Sequence, residues 1–119
     1  MGMTYADFIV KKNHDSKKAV GVKFLVDSGA TFSLIPGKTL LRIGIRPHRH
    51  MTFVLADGTE IRRKVGDAYF EWRGKGGAAP VIFGEKGDEP LLGATTLESL
   101  GLVLNPFNRE LSPMRMMLA

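Results

Sequence analysis

The order of apolar and polar residues along the chain predicts a mostly β protein. Short runs rich in β-branched and aromatic residues alternate with glycine and other turn-forming residues, as in strands joined by tight turns. Strands are predicted over Tyr5–Lys12, Ala19–Asp27, Met51–Ala56, Glu60–Trp72, Ala79–Phe83, Leu102–Leu104 and Arg109–Ser112. No repeat or linker interrupts the pattern, so we expect one domain over residues 1–119, with 1–4 and 114–119 either frayed or at a subunit interface.

The connections between the strands are predicted from glycine, proline, asparagine and aspartate. The strongest signal is Asp57-Gly58, which predicts a two-residue loop. The strands on either side of it are therefore expected to pair as a hairpin. Further turns are predicted at 13–16, 74–77, 87–90 and 105–108.

Two short helices are predicted between the strands. The first covers Pro36–Ile43, because proline is favoured at a helix start and Gly44 follows the end. The second runs from Thr95 to Leu100, where Thr95 and Glu98 have the spacing of a capping box.

Composition limits the classes of protein to which the chain can belong. Hydrophobic residues make up 44% and charged residues 24% of the sequence, as in soluble globular domains. No apolar run reaches the ~20 residues that a membrane-spanning helix needs. The sequence holds no cysteine, which excludes disulfides, thiolate nucleophiles and cysteine-based zinc sites and suits a reducing compartment. We therefore expect a cytoplasmic protein without membrane contact.

The candidate for chemistry is the segment Phe24–Thr31, in which Asp27 follows an apolar strand and enters a Ser28-Gly29 turn. A carboxylate at this point lies in a setting of low dielectric constant, while its backbone neighbours remain able to hydrogen-bond it. Gly29 permits a tight turn, and the Ser28 hydroxyl can fix that turn. Alone the tripeptide is weak evidence, because Asp-Ser-Gly occurs by chance in many ordinary turns.

The segment resembles the aspartic-peptidase signature, an apolar pair followed by Asp-Thr/Ser-Gly-Ala/Ser. The run Leu91-Leu92-Gly93 resembles the second hallmark of that fold, in which two apolar residues and a glycine pass beside the active-site loop. The hairpin at Asp57-Gly58 lies between the two motifs, where the family carries its flap. The chain is most similar to the retropepsin-like, single-domain peptidases of bacteria and archaea, over residues 20–113.

This resemblance implies a single-domain acid-protease fold, a closed β-barrel with one or two short helices, that works as a homodimer. Asp27 of each subunit would form the catalytic dyad, because the chemistry needs two carboxylates sharing one proton and the chain has one Asp-Ser-Gly. The active-site loop would comprise Ser28, Gly29, Ala30 and Thr31, the flap Ala56, Asp57, Gly58 and Thr59, and the psi-loop Leu91, Leu92 and Gly93. The substrate would be a peptide or protein bound as an added strand, with neither metal nor other cofactor.

The sequence departs from the retroviral enzymes at positions that bear on substrate and subunit contacts. Thr31 stands where those enzymes carry a second Asp, and Gly93-Ala94-Thr95 stands where they have Gly-Arg-Asn with an arginine of the dimer contact. The terminal hairpin and its tail are an alternative source of the interface. The dimer contact and the flap are therefore the parts of the chain for which the family resemblance is the weakest guide.

Two rival functions remain open. The first is a non-catalytic dimeric module of the same fold that binds peptides or proteins. The second is a nucleic-acid-associated module, suggested by a net charge of +5 and testable by salt dependence. We expect no nucleic-acid binding, because the basic groups lack interleaved aromatics. His14, His48 and His50 lack a third ligand at suitable spacing, so no metal site is predicted.

Overall fold

The computed structural model describes residues 3–115 and 118. Predictions for residues 1, 2, 116, 117 and 119 lie outside the described residues. The elements are β1 Tyr5–Lys11, β2 Ala19–Val26, β3 Ser33–Pro36, α1 Gly37–Arg42, β4 Arg49–Val54, β5 Glu60–Trp72, β6 Lys75–Gly84, β7 Leu91–Leu92, α2 Ala94–Ser99, β8 Leu102–Leu104 and β9 Leu111–Pro113. Strands dominate, which confirms the predicted mostly β class. In this described part, no helix has the length and apolar character that crossing a bilayer demands.

The main sheet has the strand order β1-β2-β7-β3-β6-β5-β4, and β1 also pairs with β5. This second pairing, centred on Val10 and Phe70, brings the sheet back on itself, so that all its strands except β4 form a ring. A salt bridge of 2.9 Å between Lys11 Nζ and Glu71 Oε2 supports the closure. Within the described residues β4 pairs only with β5, and β8 and β9 form a separate sheet.

The core lies inside this ring because alternate residues of each strand point inward. Its centre is aromatic: the Phe8 and Phe24 ring centroids are 5.7 Å apart in an edge-to-face contact, and those of Phe24 and Phe70 are 6.1 Å apart. All three side chains are almost fully buried. Trp72 stacks on Phe8 at 6.1 Å, so two aromatic residues of β5, Phe70 and Trp72, pack in or against the core.

The predicted turn over 74–77 is wrong in its bounds, because the turn comprises only Arg73 and Gly74. Both residues have positive φ, 46° and 81°, as the two-residue loop of a hairpin requires. β6 then begins at Lys75 and includes the glycines at 76 and 77. A side chain at 76 would collide with the Tyr69 hydroxyl, and a Cβ at 77 would lie 2.6 Å from Ser99 Oγ. These glycines therefore make room for neighbours and do not bend the chain.

The hairpin predicted at Asp57-Gly58 is present, but its loop is not the predicted two-residue turn. Val54 pairs with Glu60, and the Leu55 amide donates to the Thr59 carbonyl at 2.8 Å. The loop between Leu55 and Thr59 therefore has three residues. Gly58 has a φ of 88°, as a glycine in the left-handed position of a three-residue loop does.

The two predicted helices are confirmed with shifted bounds, and β3 between the active-site segment and α1 was not predicted. α1 starts after Pro36 and ends before Gly44, whose φ of 88° stops the helix. β3 is only four residues long and pairs in parallel with β6 through Leu34 and Ile82. That pairing joins distant segments, so the local pattern gives little sign of it.

Candidate active site

Asp27 is the first residue after β2, an interior strand of the main sheet. Phe24 and Val26 of β2 are buried, whereas Asp27 is exposed. β2 lies between β1 and β7, and the Asp27 amide donates to the Leu92 carbonyl at 2.9 Å. The carboxylate therefore emerges from a hydrogen-bonded backbone at the end of an interior strand.

The predicted active-site loop, residues 28–31, turns back on the Asp27 carboxylate. The Gly29 amide donates to Asp27 Oδ1 at 2.9 Å, and the Ala30 amide donates to the Asp27 carbonyl oxygen at 3.1 Å. A Cβ at Gly29 would lie 3.2 Å from the same Oδ1, so a larger residue would crowd the oxygen that the amide holds. Ser28 and Thr31 are exposed on the loop. A backbone donor thus fixes the orientation of the carboxylate.

The start of α2 holds the active-site loop from its other side. The Ala94 amide donates to the Ala30 carbonyl at 2.7 Å, and the Thr95 amide donates to the Thr31 carbonyl at 3.0 Å. The capping box predicted for Thr95 and Glu98 is wrong, because α2 has no side-chain cap. The first amides of the helix already have partners in the loop, so the loop carbonyls replace the cap.

Gly93 lies where the psi-loop, residues 91–93, passes the active-site loop. A Cβ there would lie 2.5 Å from the Phe32 carbonyl oxygen and 3.0 Å from that of Ala30, so only glycine fits. The Gly93 amide donates to Ser33 Oγ at 3.0 Å, and this hydroxyl lies 2.5 Å from Thr96 Oγ1. Both hydroxyl residues are fully buried. One buried polar network therefore joins β3, the psi-loop and α2.

A cleft of about 650 Å³ opens beside the active-site loop. Residues 29–32 of the loop segment form one part of its lining, and residues 87–89 form another. Most of the larger side chains in the lining are apolar: Leu25, Phe32, Leu34, Phe53, Ile61 and Leu91. An apolar cleft with a few polar groups is typical of a binding site.

The cleft is bordered by a two-stranded ribbon, residues 49–64, which we call the flap ribbon. β5 pairs with β6 only from Val65 onward, whereas residues 60–64 pair with β4. The flap ribbon therefore leaves the main sheet just before Val65. Phe53 of the ribbon meets Phe32 edge to face, with ring centroids 6.1 Å apart, which connects the ribbon to the residue that follows the active-site loop.

The tip of the flap ribbon is organised around Asp57. The Thr59 hydroxyl and the Thr59 amide, the latter 2.8 Å from Asp57 Oδ1, donate hydrogen bonds that hold the pKa of Asp57 below its usual value. The carboxylate thus closes its own turn in the ionised form.

Solved structures with a similar chain path are retroviral proteases and a related domain. The retroviral protease-like domain of Ddi1 from Leishmania major has a TM-score of 0.57 and 20% identity, covering 97% of this chain and 92% of that one. The protease of Simian Foamy Virus (mac) has a TM-score of 0.52 and 22% identity, covering 78% of this chain and 92% of that one. The Prototype Foamy Virus protease–reverse transcriptase has a TM-score of 0.51 and 19% identity over 94% of this chain, which corresponds to 12% of that longer protein. No protein-family model and no curated protein matches the sequence.

The chain has the retroviral-protease fold. This confirms the resemblance seen in the sequence as far as the fold is concerned. At 19–22% identity the likeness establishes the path of the backbone, and the chemistry must be argued from this chain's own residues.

The retroviral-protease fold brings some of the predicted site residues together and leaves others apart. The active-site loop and the psi-loop meet through the hydrogen bonds of Ala30, Thr31 and Gly93. The four predicted flap residues, 56–59, form the tip of the flap ribbon and do not line the cleft. The cleft is instead lined by ribbon residues 52–55 and Ile61.

Sequence reasoning missed three residues that shape the site. Ser33 and Thr96 form the buried hydroxyl pair, and Phe53 joins the flap ribbon to Phe32. A serine in the otherwise apolar run from Phe32 to Pro36 is the one local signal that pointed to the hydroxyl pair. Thr96 and Phe53 carry no such signal, because their roles depend on partners far along the chain.

Two of the three histidines each contact one aspartate. His48 Nε2 lies 3.0 Å from Asp67 Oδ2, and His14 Nδ1 lies 3.1 Å from Asp15 Oδ1. Across residues 3–115 and 118, no group of three or more His, Asp or Glu side chains converges as metal ligands would.

Proposed function

We propose that the protein is an aspartic endopeptidase that acts as a homodimer, with one Asp27 from each copy in the catalytic dyad. The observation that carries the proposal is the setting of this carboxylate. It is exposed near an apolar cleft, yet the Gly29 amide orients it at 2.9 Å. A bond of the same kind closes the turn at Asp57. What suits Asp27 to act on a bound substrate is its place beside the cleft, on a loop that the start of α2 holds through the Ala30 and Thr31 carbonyls.

Peptide hydrolysis by this chemistry requires two carboxylates that share a proton. The sequence contains one Asp-Ser-Gly, so the second carboxylate is Asp27 of another copy across a two-fold axis. The ionised Asp27 accepts a proton from the attacking water, while the protonated Asp27 donates to the substrate carbonyl oxygen as negative charge develops there. The tetrahedral intermediate then breaks its C–N bond as the nitrogen receives a proton. The enzyme forms no covalent intermediate.

The neighbouring residues take supporting roles in this proposal. Ser28 hydrogen-bonds across the two-fold axis and stiffens the two loops, and Gly29 holds the backbone of the substrate. The flap ribbon, with Ala56–Thr59 at its tip, closes over an extended peptide and excludes water. The peptide binds as an added strand, with apolar side chains in the cleft. The psi-loop, Leu91–Gly93, keeps the active-site loop in place.

The terminal hairpin β8–β9 is the surface that we assign to the dimer contact. Its two strands pair only with each other within the described residues, and unpaired strand edges invite a second copy. Val103 is 43% exposed and Phe107 is 96% exposed, so burial of these side chains would favour association. We propose that 1–119 is a single domain and that its setting is the cytoplasm, in keeping with a sequence without cysteine.

The test combines sedimentation velocity with cleavage of a peptide library, read by mass spectrometry, for the wild type and Asp27→Asn. We expect both proteins to be dimers, and cleavage by the wild type to follow a bell-shaped pH profile. Asp27→Asn should lower kcat by at least about a hundredfold, because it removes the general base and the general acid together. A monomeric wild type that cleaves, or cleavage that survives the substitution, would contradict the proposal.

Mixed dimers sharpen the test. If both aspartates are needed, equal amounts of wild type and Asp27→Asn, mixed and allowed to exchange subunits, should retain about a quarter of the activity per dimer, because only wild-type homodimers are complete. Retention of half of the activity would show that each subunit works alone. A wild type that binds peptides but never cleaves them would favour the non-catalytic module.

A further inference from the structure

Arg63 joins the flap ribbon to another segment of the cleft lining. This segment is 85–90 between β6 and β7, which we call the wall loop; its residues 87–89 line the cleft. Arg63 Nε donates to Asp88 Oδ2 at 3.3 Å, and Arg63 Nη1 lies 3.5 Å from Glu85 Oε1. The side chains of Arg63 and Asp88 are only 16% and 25% exposed, so this ion pair is partly shielded from solvent.

Arg63 lies in the part of β5 that no longer pairs with β6, so its side-chain contacts can hold the flap ribbon where the sheet does not. The ladder between β5 and β6 ends at Val65 and Ile82, so Arg63 is two residues beyond the last point at which the sheet supports the flap ribbon. Within the described residues no backbone hydrogen bond joins 49–64 to the wall loop. Arg63 therefore supplies a side-chain connection where the backbone supplies none.

Both partners of the ion pair are themselves fixed. The Asp88 carboxylate accepts a hydrogen bond from the Glu85 amide at 2.8 Å, which closes the turn of the wall loop. The guanidinium of Arg63 also donates to the Arg62 carbonyl at 3.1 Å, which restricts its direction. A charge-assisted bond between two oriented groups has a defined geometry.

We infer that Arg63 is a positioning residue that ties the flap ribbon to the wall loop and so sets the width of the substrate cleft. Its consequence for catalysis rests on the proposed peptidase function, whereas the tie itself does not. A loosened ribbon weakens the binding of an extended peptide. The Asp27 dyad is unaffected, because the hydrogen bonds and ion pairs of Arg63 go to Arg62, Glu85 and Asp88 and not to Asp27 or the active-site loop.

The test compares Arg63→Met with Arg62→Met by hydrogen–deuterium exchange of the intact protein. Arg62 is exposed, and its replacement changes charge and length by the same amount on the same strand. We expect Arg63→Met to speed exchange about three- to tenfold in peptides covering 49–64 and 85–90, and to leave α2 unchanged. Arg62→Met should exchange like the wild type. Equal behaviour of the two variants would overturn the inference.

A second variant protects the test against misfolding of Arg63→Met. Asp88 Oδ2 accepts from both the Glu85 amide and Arg63 Nε, so Asp88→Asn can keep both hydrogen bonds and removes only the charge. Because a charge-assisted bond is stronger than a neutral one, exchange in the same two segments should rise, by less than in Arg63→Met. Unchanged exchange in Asp88→Asn would also overturn the tie.

Kinetics separate this inference from the proposed function. With a peptide substrate, Arg63→Met should raise KM about three- to tenfold and change kcat by less than about twofold, because ground-state and transition-state binding weaken equally. A fall in kcat at constant KM would overturn the positioning role. A wild type without cleavage would refute the peptidase proposal, and the exchange data would still decide whether Arg63 ties the two segments.

Discussion

Residues 27–33 and the flap ribbon border the same cleft, and their contacts differ in kind. The segment 27–33 is held by backbone hydrogen bonds to β7 and α2 and by the buried Ser33–Thr96 hydroxyl pair. The flap ribbon leaves the sheet before Val65, and the side-chain contacts described for it are the Phe53–Phe32 ring contact and the bonds of Arg63 to Asp88 and Glu85. A catalytic group needs a fixed position, whereas a cover over a peptide must open. The two regions should therefore differ in the free energy needed to open them.

The largest effect on stability is expected at Gly93, where the psi-loop passes close to the backbone of Ala30 and Phe32. Gly93→Ala should lower the free energy of unfolding by about 2–3 kcal/mol, because the new Cβ meets backbone atoms that cannot move aside. The φ of Gly93 is −98°, which any residue adopts, so the effect is steric. Urea denaturation measures it.

Gly21→Ala is the matched control for this change. Gly21 lies in β2, and a Cβ there meets nothing within 4 Å. This variant should keep its stability or gain up to about 1 kcal/mol, because alanine has less conformational entropy to lose than glycine. If Gly93→Ala were as stable as Gly21→Ala, the close contact of the psi-loop and the loop segment would be disproved.

The buried hydroxyl pair should give the next effect. Ser33→Ala leaves the Gly93 amide without its acceptor and should cost about 1–3 kcal/mol of unfolding free energy. Thr96→Val removes one hydroxyl but leaves Ser33 to accept from Gly93, so it should cost less. Thermal and urea unfolding of the two single variants and the double variant measure the coupling. Additive losses would show that the two hydroxyls act independently.

Phe53 tests the flap side of the comparison. Phe53→Leu removes the edge-to-face contact with Phe32, worth about 0.5–1.5 kcal/mol, and should speed amide exchange in 49–64 while global stability changes little. Leu41→Ala is the control, because Leu41 of α1 is 54% exposed and lies outside both the flap ribbon and the proposed dimer contact. A global loss of stability in Phe53→Leu would mean that the ribbon unfolds only with the whole domain.

The sequence predicted best those features that depend on residues adjacent in the chain. The bounds of β5 agree with the prediction, because its aromatic and β-branched residues lie between clear turn signals. Gly29 and Gly93 were placed in their loops by motif alone. Arg73-Gly74 was misplaced because glycines at 76 and 77 look like turn residues, and only the packing of Tyr69 and Ser99 explains them as strand.

The features that sequence missed depend on partners far along the chain. The capping box at Thr95 and Glu98 fits its local pattern, but the carbonyls of Ala30 and Thr31 take the helix amides instead. The link between Arg63 and Asp88 and the closure of β1 on β5 likewise join distant residues. A single sequence gives the local preference and not the competing partner, so these contacts require the structure.

The smallest effect is expected at the tip of the flap ribbon, and it depends on pH. The folded protein holds the pKa of Asp57 below its usual value near 3.8. Its ionised form therefore stabilises the turn above that value, and the contribution disappears as pH falls through the lower folded pKa. Asp57→Ala should lower Tm slightly at pH 7 and match the wild type near pH 2. Thermal scans at both pH values measure the difference, with Asp7→Ala as the control, because Asp7 is exposed and lies outside the ribbon. An equal loss at both pH values would show that the carboxylate acts by shape and not by charge, because protonation would then leave its contribution to the turn intact.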